Sequence, residues 1–126
     1  MIKKFNPYIN SLKKELIQLS DTLYENPELS GEEFKSKELL KNLLIKHGFD
    51  VTDINVPELE TAFIGKFDSH KPGLTIAYCA EYDALPSVGH GCGHNLIGAT
   101  SAGAAILLSE IISEVGGQVW LVGTPA

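Results

Sequence analysis

Arginine is absent from this 126-residue sequence: all ten basic residues are lysines, set against sixteen acidic residues for a formal net charge of -6. Nucleic acids and anionic membranes are polyanions gripped by clustered Lys and Arg, so no nucleic acid and no membrane is expected as a partner. Long apolar runs are missing too, none reaching the roughly 18 to 20 residues that span a bilayer. The Met1-Ile2-Lys3-Lys4 start carries the charge of a signal peptide, but Asn6, Pro7, Asn10, Lys13 and Lys14 interrupt the apolar core that should follow. A soluble, cytoplasmic protein is expected. Two cysteines, Cys79 and Cys92, are too few for the disulfide framework of a small secreted domain, which favours reduced thiols. Repeats, low-complexity tracts and linkers are absent as well.

What is there suits one globular domain or a piece of one, with 44% hydrophobic and 21% charged residues. Ile9, Leu12, Leu16, Leu19 and Leu23 recur at spacings of three and four and predict a helix over 6–24, with Pro7 in its first turn. Pro27 breaks it. Ser30 and Glu33 form a capping-box pattern that opens a second helix. Phe34, Leu39, Leu40, Leu43 and Leu44 supply its apolar face, and Gly48 is its stop. Residues 49–56 and 61–67 read as short strands. The run 74–80 is nearly all apolar, the pattern of a strand buried on both faces, with Cys79 as plain core. A helix over 96–112, small-sided at its start, and a strand over 118–122 complete a βαβ unit, whose crossover is almost always right-handed. The last strand has the character of a central one, and central strands need neighbours on both edges. The chain is therefore expected to be a fragment or truncated product of a longer α/β protein.

The chemistry concentrates in 81–95, directly after a buried strand, where open α/β sheets place their sites. Glu81, Asp83, His90, Cys92 and His94 lie there, with glycines at 89, 91 and 93 that allow tight backbone folding. Cys92 and His94 are two apart and would face the same way in an extended segment. Thiolate and imidazole suit zinc, while the carboxylates of Glu81 and Asp83 also suit manganese. Asp83 would either orient a ligand histidine or accept N–H groups of its own loop. His90 could bind a ligand or hydrogen-bond backbone, and Glu81 could be a solvated strand-end carboxylate. His47 and His70 are expected to be exposed and without a role. Cys92 could alternatively be a nucleophile activated by His90 or His94. Two nearby carboxylates would raise rather than depress a thiol's pKa, which favours the metal reading.

Glu81-Tyr82-Asp83-Ala84-Leu85-Pro86, His90-Gly91-Cys92-Gly93-His94-Asn95 and Gly123-Thr124-Pro125-Ala126 together resemble the amino-terminal part of metal-dependent amidohydrolases. These are the aminoacylase, hippurate hydrolase and aminobenzoyl-glutamate hydrolase group of the zinc carboxypeptidase-like peptidases. The likeness extends over the whole chain, including the Asn26-Pro27-Glu28-Leu29-Ser30 turn. It implies an α/β fold: the N-terminal part of a mixed, mainly parallel sheet flanked by helices, an incomplete catalytic domain over 1–126. Its lid and dimerisation domain lies outside this chain. It implies one or two divalent ions, zinc or manganese, with Cys92 and His94 as ligands and Asp83 as the orienting carboxylate. Relatives that carry a metal-binding histidine two residues before that aspartate have Glu81 in its place here. Asn95, where hippurate-type members carry aspartate, resembles the aminobenzoyl-glutamate and dipeptide-cleaving branch.

The implied activity is hydrolysis of an amide bond in a small N-acyl amino acid or dipeptide by a metal-activated water, in an enzyme that dimerises. The family's paired glutamates, one the general base, follow the Gly-Thr-Pro-Ala loop and lie beyond Ala126. This chain alone is therefore expected to be inactive. The alternative is a truncated, non-catalytic module that binds a ligand or another chain. Unpartnered strands are expected to make the isolated chain self-associate; light scattering checks this, and a monodisperse monomer would contradict it.

Overall fold

Leucines at helical spacing need a surface to cover, and here they find it on a sheet and on each other. In the computed structural model, which describes residues 2–125, the order is α1 (Ile2–Glu25), α2 (Phe34–Lys46), β1 (Asp50–Asp53), β2 (Phe63–Asp68), β3 (Thr75–Ala80), α3 (His94–Ser109), α4 (Ile112–Val115) and β4 (Gln118–Gly123). Met1 and Ala126 lie outside the described residues. No helix among them is long and apolar enough to cross a membrane.

The strands form one mixed sheet in the order β1-β2-β4-β3. β1 with β2 and β2 with β4 run antiparallel, and only β3 with β4 is parallel. The expected mixed sheet flanked by helices is present, but its balance within these residues is antiparallel. The parallel part is confined to the β3-α3-β4 crossover, because only there does a helix carry the chain back to the starting end. The core joins Leu12, Leu19 and Leu23 of α1, Leu40 and Leu44 of α2, Phe63, Val119 and Leu121 of the sheet, and Ala99, Ala102, Ala105 and Ile106 of α3. Small residues let α3 lie close: a methyl on Gly103 would come within 2.6 Å of Leu16 in α1.

Several expectations are corrected. α1 begins at Ile2, so Pro7 lies inside it rather than in its first turn. There it forgoes a backbone bond that a first-turn proline would not. The second helix begins at Phe34, and Glu33 makes no side-chain cap bond. The capping carboxylate is instead Glu28, from the preceding turn. Its Oε2 accepts the Lys35 N–H at 3.1 Å, and its Oε1 accepts the Ser36 N–H at 2.6 Å and hydroxyl at 2.7 Å. The helix dipole favours that negative charge. β3, expected to be buried on both faces, is mostly exposed, because it pairs on one edge only and the described residues cover little of it. Cys79 is accordingly exposed, not core. β4 does have a neighbour on each edge, so the open edges belong to β1 and β3. The 96–112 helix starts earlier and breaks after Ser109. His70 is exposed as expected, whereas His47 is half-buried with Nε2 3.4 Å from Glu15 Oε1.

Glu28→Ala should therefore cost about 1–2 kcal/mol of stability, as expected for loss of a charged helix cap. Urea denaturation checks this through a lowered midpoint at unchanged slope.

Candidate metal centre

The carboxyl ends of the two parallel strands lie side by side, and the chemistry-bearing loops leave from there. Ala80 ends β3 and its carbonyl accepts both the N–H (2.8 Å) and the hydroxyl (3.0 Å) of Thr124 just beyond β4. That double bond to Thr124 holds the start of the Gly-Thr-Pro segment beside Glu81. From the other side, the Glu28 carbonyl accepts the Ala84 N–H at 2.7 Å, which pins the Pro27 turn to the same loop. The loop then folds back on itself through Leu85 and Gly89, which exchange backbone bonds of 2.9 and 3.0 Å, with Ser87 and Gly89 in the left-handed region.

His94 is the first residue of α3, and its ring lies between two carboxylates. Nδ1 is 2.6 Å from Asp83 Oδ1, and Nε2 is 3.1 Å from Glu81 Oε2. An ionised carboxylate only accepts, so Asp83 places the Nδ1–H and fixes the ring's orientation. Asp83 is buried and Glu81 half-exposed. The helix reaches this position because of Gly98, one turn after His94. A methyl there would sit 3.0 Å from the Glu81 carbonyl oxygen, tighter than ordinary contact.

The other residues fall differently. Cys92 is exposed in the turn before α3. Gly93 is left-handed (φ 79°, ψ 22°), so 92–94 turns into the helix instead of running extended, and the same-face premise drawn from spacing does not hold. Among the described residues no hydrogen bond joins Cys92 to His90 or His94. His90 is buried, and neither ring nitrogen has a hydrogen-bond partner. Burial pushes its imidazole below the usual value; the Leu23 backbone leans the other way without reaching hydrogen-bonding geometry. Asn95 turns to α1, where its Nδ2 donates to Ser20 Oγ at 3.0 Å and Ser20 O at 3.3 Å.

Sequence reasoning left Glu81 without an assigned role, since one carboxylate at a strand end carries no sign of what it will meet. It also passed over a buried chain behind the loop. Tyr82 is fully buried and its hydroxyl donates to the Thr61 carbonyl; the Thr61 hydroxyl in turn donates to Glu33 Oε2 at 2.8 Å.

Among the described residues no group of three or more His, Cys, Asp or Glu converges to hold an ion. The donor chemistry nevertheless fits a divalent cation. An imidazole whose far nitrogen is held by a carboxylate is a common arrangement of a ligand histidine. A thiol lies two residues away, and His90 has buried nitrogens with nothing to bond.

No family model matches the chain. It is 31% identical, over all of its length and 35% of the relative's, to thermostable carboxypeptidase 2 of Saccharolobus solfataricus. It is 35% identical, over 93% of its length and 28% of the relative's, to a subunit of the p-aminobenzoyl-glutamate hydrolase of Escherichia coli. Among solved structures, it superposes with a TM-score of 0.80 and 30% identity on the Bacillus subtilis YXEP protein, a dinuclear metal binding peptidase from the M20 family. The match covers 93% of this chain and 36% of that one. The chain thus spans about a third of the length of the relatives it matches.

Burial raises the Tyr82 phenol well above its usual range, reinforced by the charges of Glu33 and Asp53. The folded pKa exceeds the unfolded one, near 10. Stability from this group is therefore complete below about pH 10 and is lost as pH rises further. Denaturation midpoints compared between pH 9 and 11 should fall more steeply in the native sequence than in Tyr82→Phe.

Proposed function

Because the chain belongs to the M20 family of metal-dependent peptidases and amidohydrolases, we propose that it is the N-terminal portion of a catalytic domain whose parent enzyme cleaves an amide bond in a small N-acyl amino acid or dipeptide. The observation that carries this reading is the 2.6 Å contact of His94 with Asp83 at the carboxyl end of a parallel strand pair. His94 and Cys92 would hold one or two divalent ions, zinc or manganese, which when bound lower the pKa of a water and polarise the substrate carbonyl. Asp83 keeps the proton at His94 Nδ1, so that Nε2 would offer its lone pair to a bound ion, with Glu81 Oε2, 3.1 Å from that nitrogen, as a further oxygen donor. None of the described residues is proposed as the general base, whose removal costs roughly a hundred- to ten-thousand-fold in rate. This chain alone is proposed to be inactive, and the parent to be a cytoplasmic homodimer.

The absence of three converging donors among the described residues favours a second reading, a non-catalytic module that binds a ligand or another chain. A thiol hydrolase is less well supported, since Cys92 makes no bond to either loop histidine.

The test takes the complete gene product and the 126-residue chain side by side. The longer protein should hydrolyse N-acyl amino acids or dipeptides, lose activity to a chelator and regain it with zinc or manganese, while the short chain gives no turnover. Asp83→Asn should weaken metal affinity about 10- to 100-fold. A gene product of only 126 residues that binds no metal would leave the module reading, and chelator-resistant, alkylation-sensitive turnover would leave the thiol one.

A further inference from the structure

Glu33 is fully buried, one of its carboxylate oxygens bonds the Thr61 hydroxyl, and the other has no partner. Acidic side chains are almost never fully buried without good reason, because loss of hydration is costly. The Thr61 backbone carbonyl takes the hydroxyl of Tyr82, whose ring also packs on Phe63 at 6.2 Å between centroids. This polar chain crosses from the start of α2, through the loop before β2, to the residue between Glu81 and Asp83. Tyr82 is drawn inward, and its two neighbours, the half-exposed Glu81 and the buried Asp83, both reach the same imidazole, at 3.1 and 2.6 Å.

We propose that Tyr82, held by Thr61 and Glu33, is the positioning residue for the carboxylate pair that orients His94. The ring and its hydroxyl bond set how far Glu81 and Asp83 turn toward the imidazole, so a residue that never touches substrate or metal controls the geometry of the ligand histidine. Its relevance to catalysis rests on the function proposed above; the positioning itself does not require metal.

The readout is the low-field Nδ1–H proton resonance of His94 in the metal-free native gene product, assigned by its disappearance in Asp83→Asn. Tyr82→Phe, which keeps ring and volume, should move this resonance upfield or broaden it into exchange with water while circular dichroism and cooperative unfolding persist. Thr61→Val keeps the carbonyl that accepts the Tyr82 hydroxyl and removes only the bond to Glu33, so it should move the resonance in the same direction by less, and Thr61→Ser should leave it in place. Should Tyr82→Phe fail to fold, Phe63→Leu, which removes the ring contact of Tyr82, is read in the same way. An unchanged resonance in a folded Tyr82→Phe or Phe63→Leu protein overturns the proposal. A titration with cobalt(II) alone, followed by absorbance, separately reads metal binding. Loss of the resonance in a protein that never binds cobalt would uphold the positioning role and remove the metal reading.

Discussion

α3 approaches the end of β3 at a position that carries no side chain. A methyl on residue 98 would lie 3.0 Å from the Glu81 carbonyl oxygen, so helix or strand end would have to give by a few tenths of an ångström. His94 lies one turn earlier on that helix, so its distance to Asp83 and Glu81 depends on the same close contact. The placing of the imidazole is therefore tied to that backbone approach. Gly103 provides a second, softer one against Leu16, where the flexible end of a leucine can move aside.

Electrostatics then decides what that approach produces. The strand end delivers two carboxylates to one ring, and no lysine among the described residues makes an ion pair there. The lysines are used elsewhere: Lys37 and Lys41 on Asp53 at 3.4 and 2.8 Å, and Lys46 on Glu15 at 2.8 Å. Negative charge is thus left concentrated around the imidazole, an environment that favours a cation. Among the described residues, buried side-chain atoms without a hydrogen-bond partner remain at Glu33, His47 and His90.

Much of the fold was legible because periodicity reports burial directly. The stripe of α1, the alternation of strands and helix around the crossover, and the site loop after β3 could all be read from residue type and spacing. The errors share a cause. β3 is apolar, and apolarity marks a capacity to be covered without saying what covers it. The Ser30 and Glu33 spacing matched a cap, but tertiary contacts drew Glu33 inward to Thr61 and gave the capping role to Glu28. Cys92 and His94 were paired by assuming an extended backbone, which the left-handed Gly93 replaces with a turn into α3.

By itself the sequence determined the composition of the site: two imidazoles, one thiol and two carboxylates within a glycine-rich loop after a strand, and the relatives that such a loop resembles. Those follow from local order, which residue identity and spacing encode. Only the tertiary structure decided which carboxylates meet the ring, that Asn95 faces α1, and that Tyr82 is anchored to Thr61. Such contacts join residues far apart in the chain, and their geometry is set by how closely helices and strands can pack, a property of the assembled core rather than of any short segment.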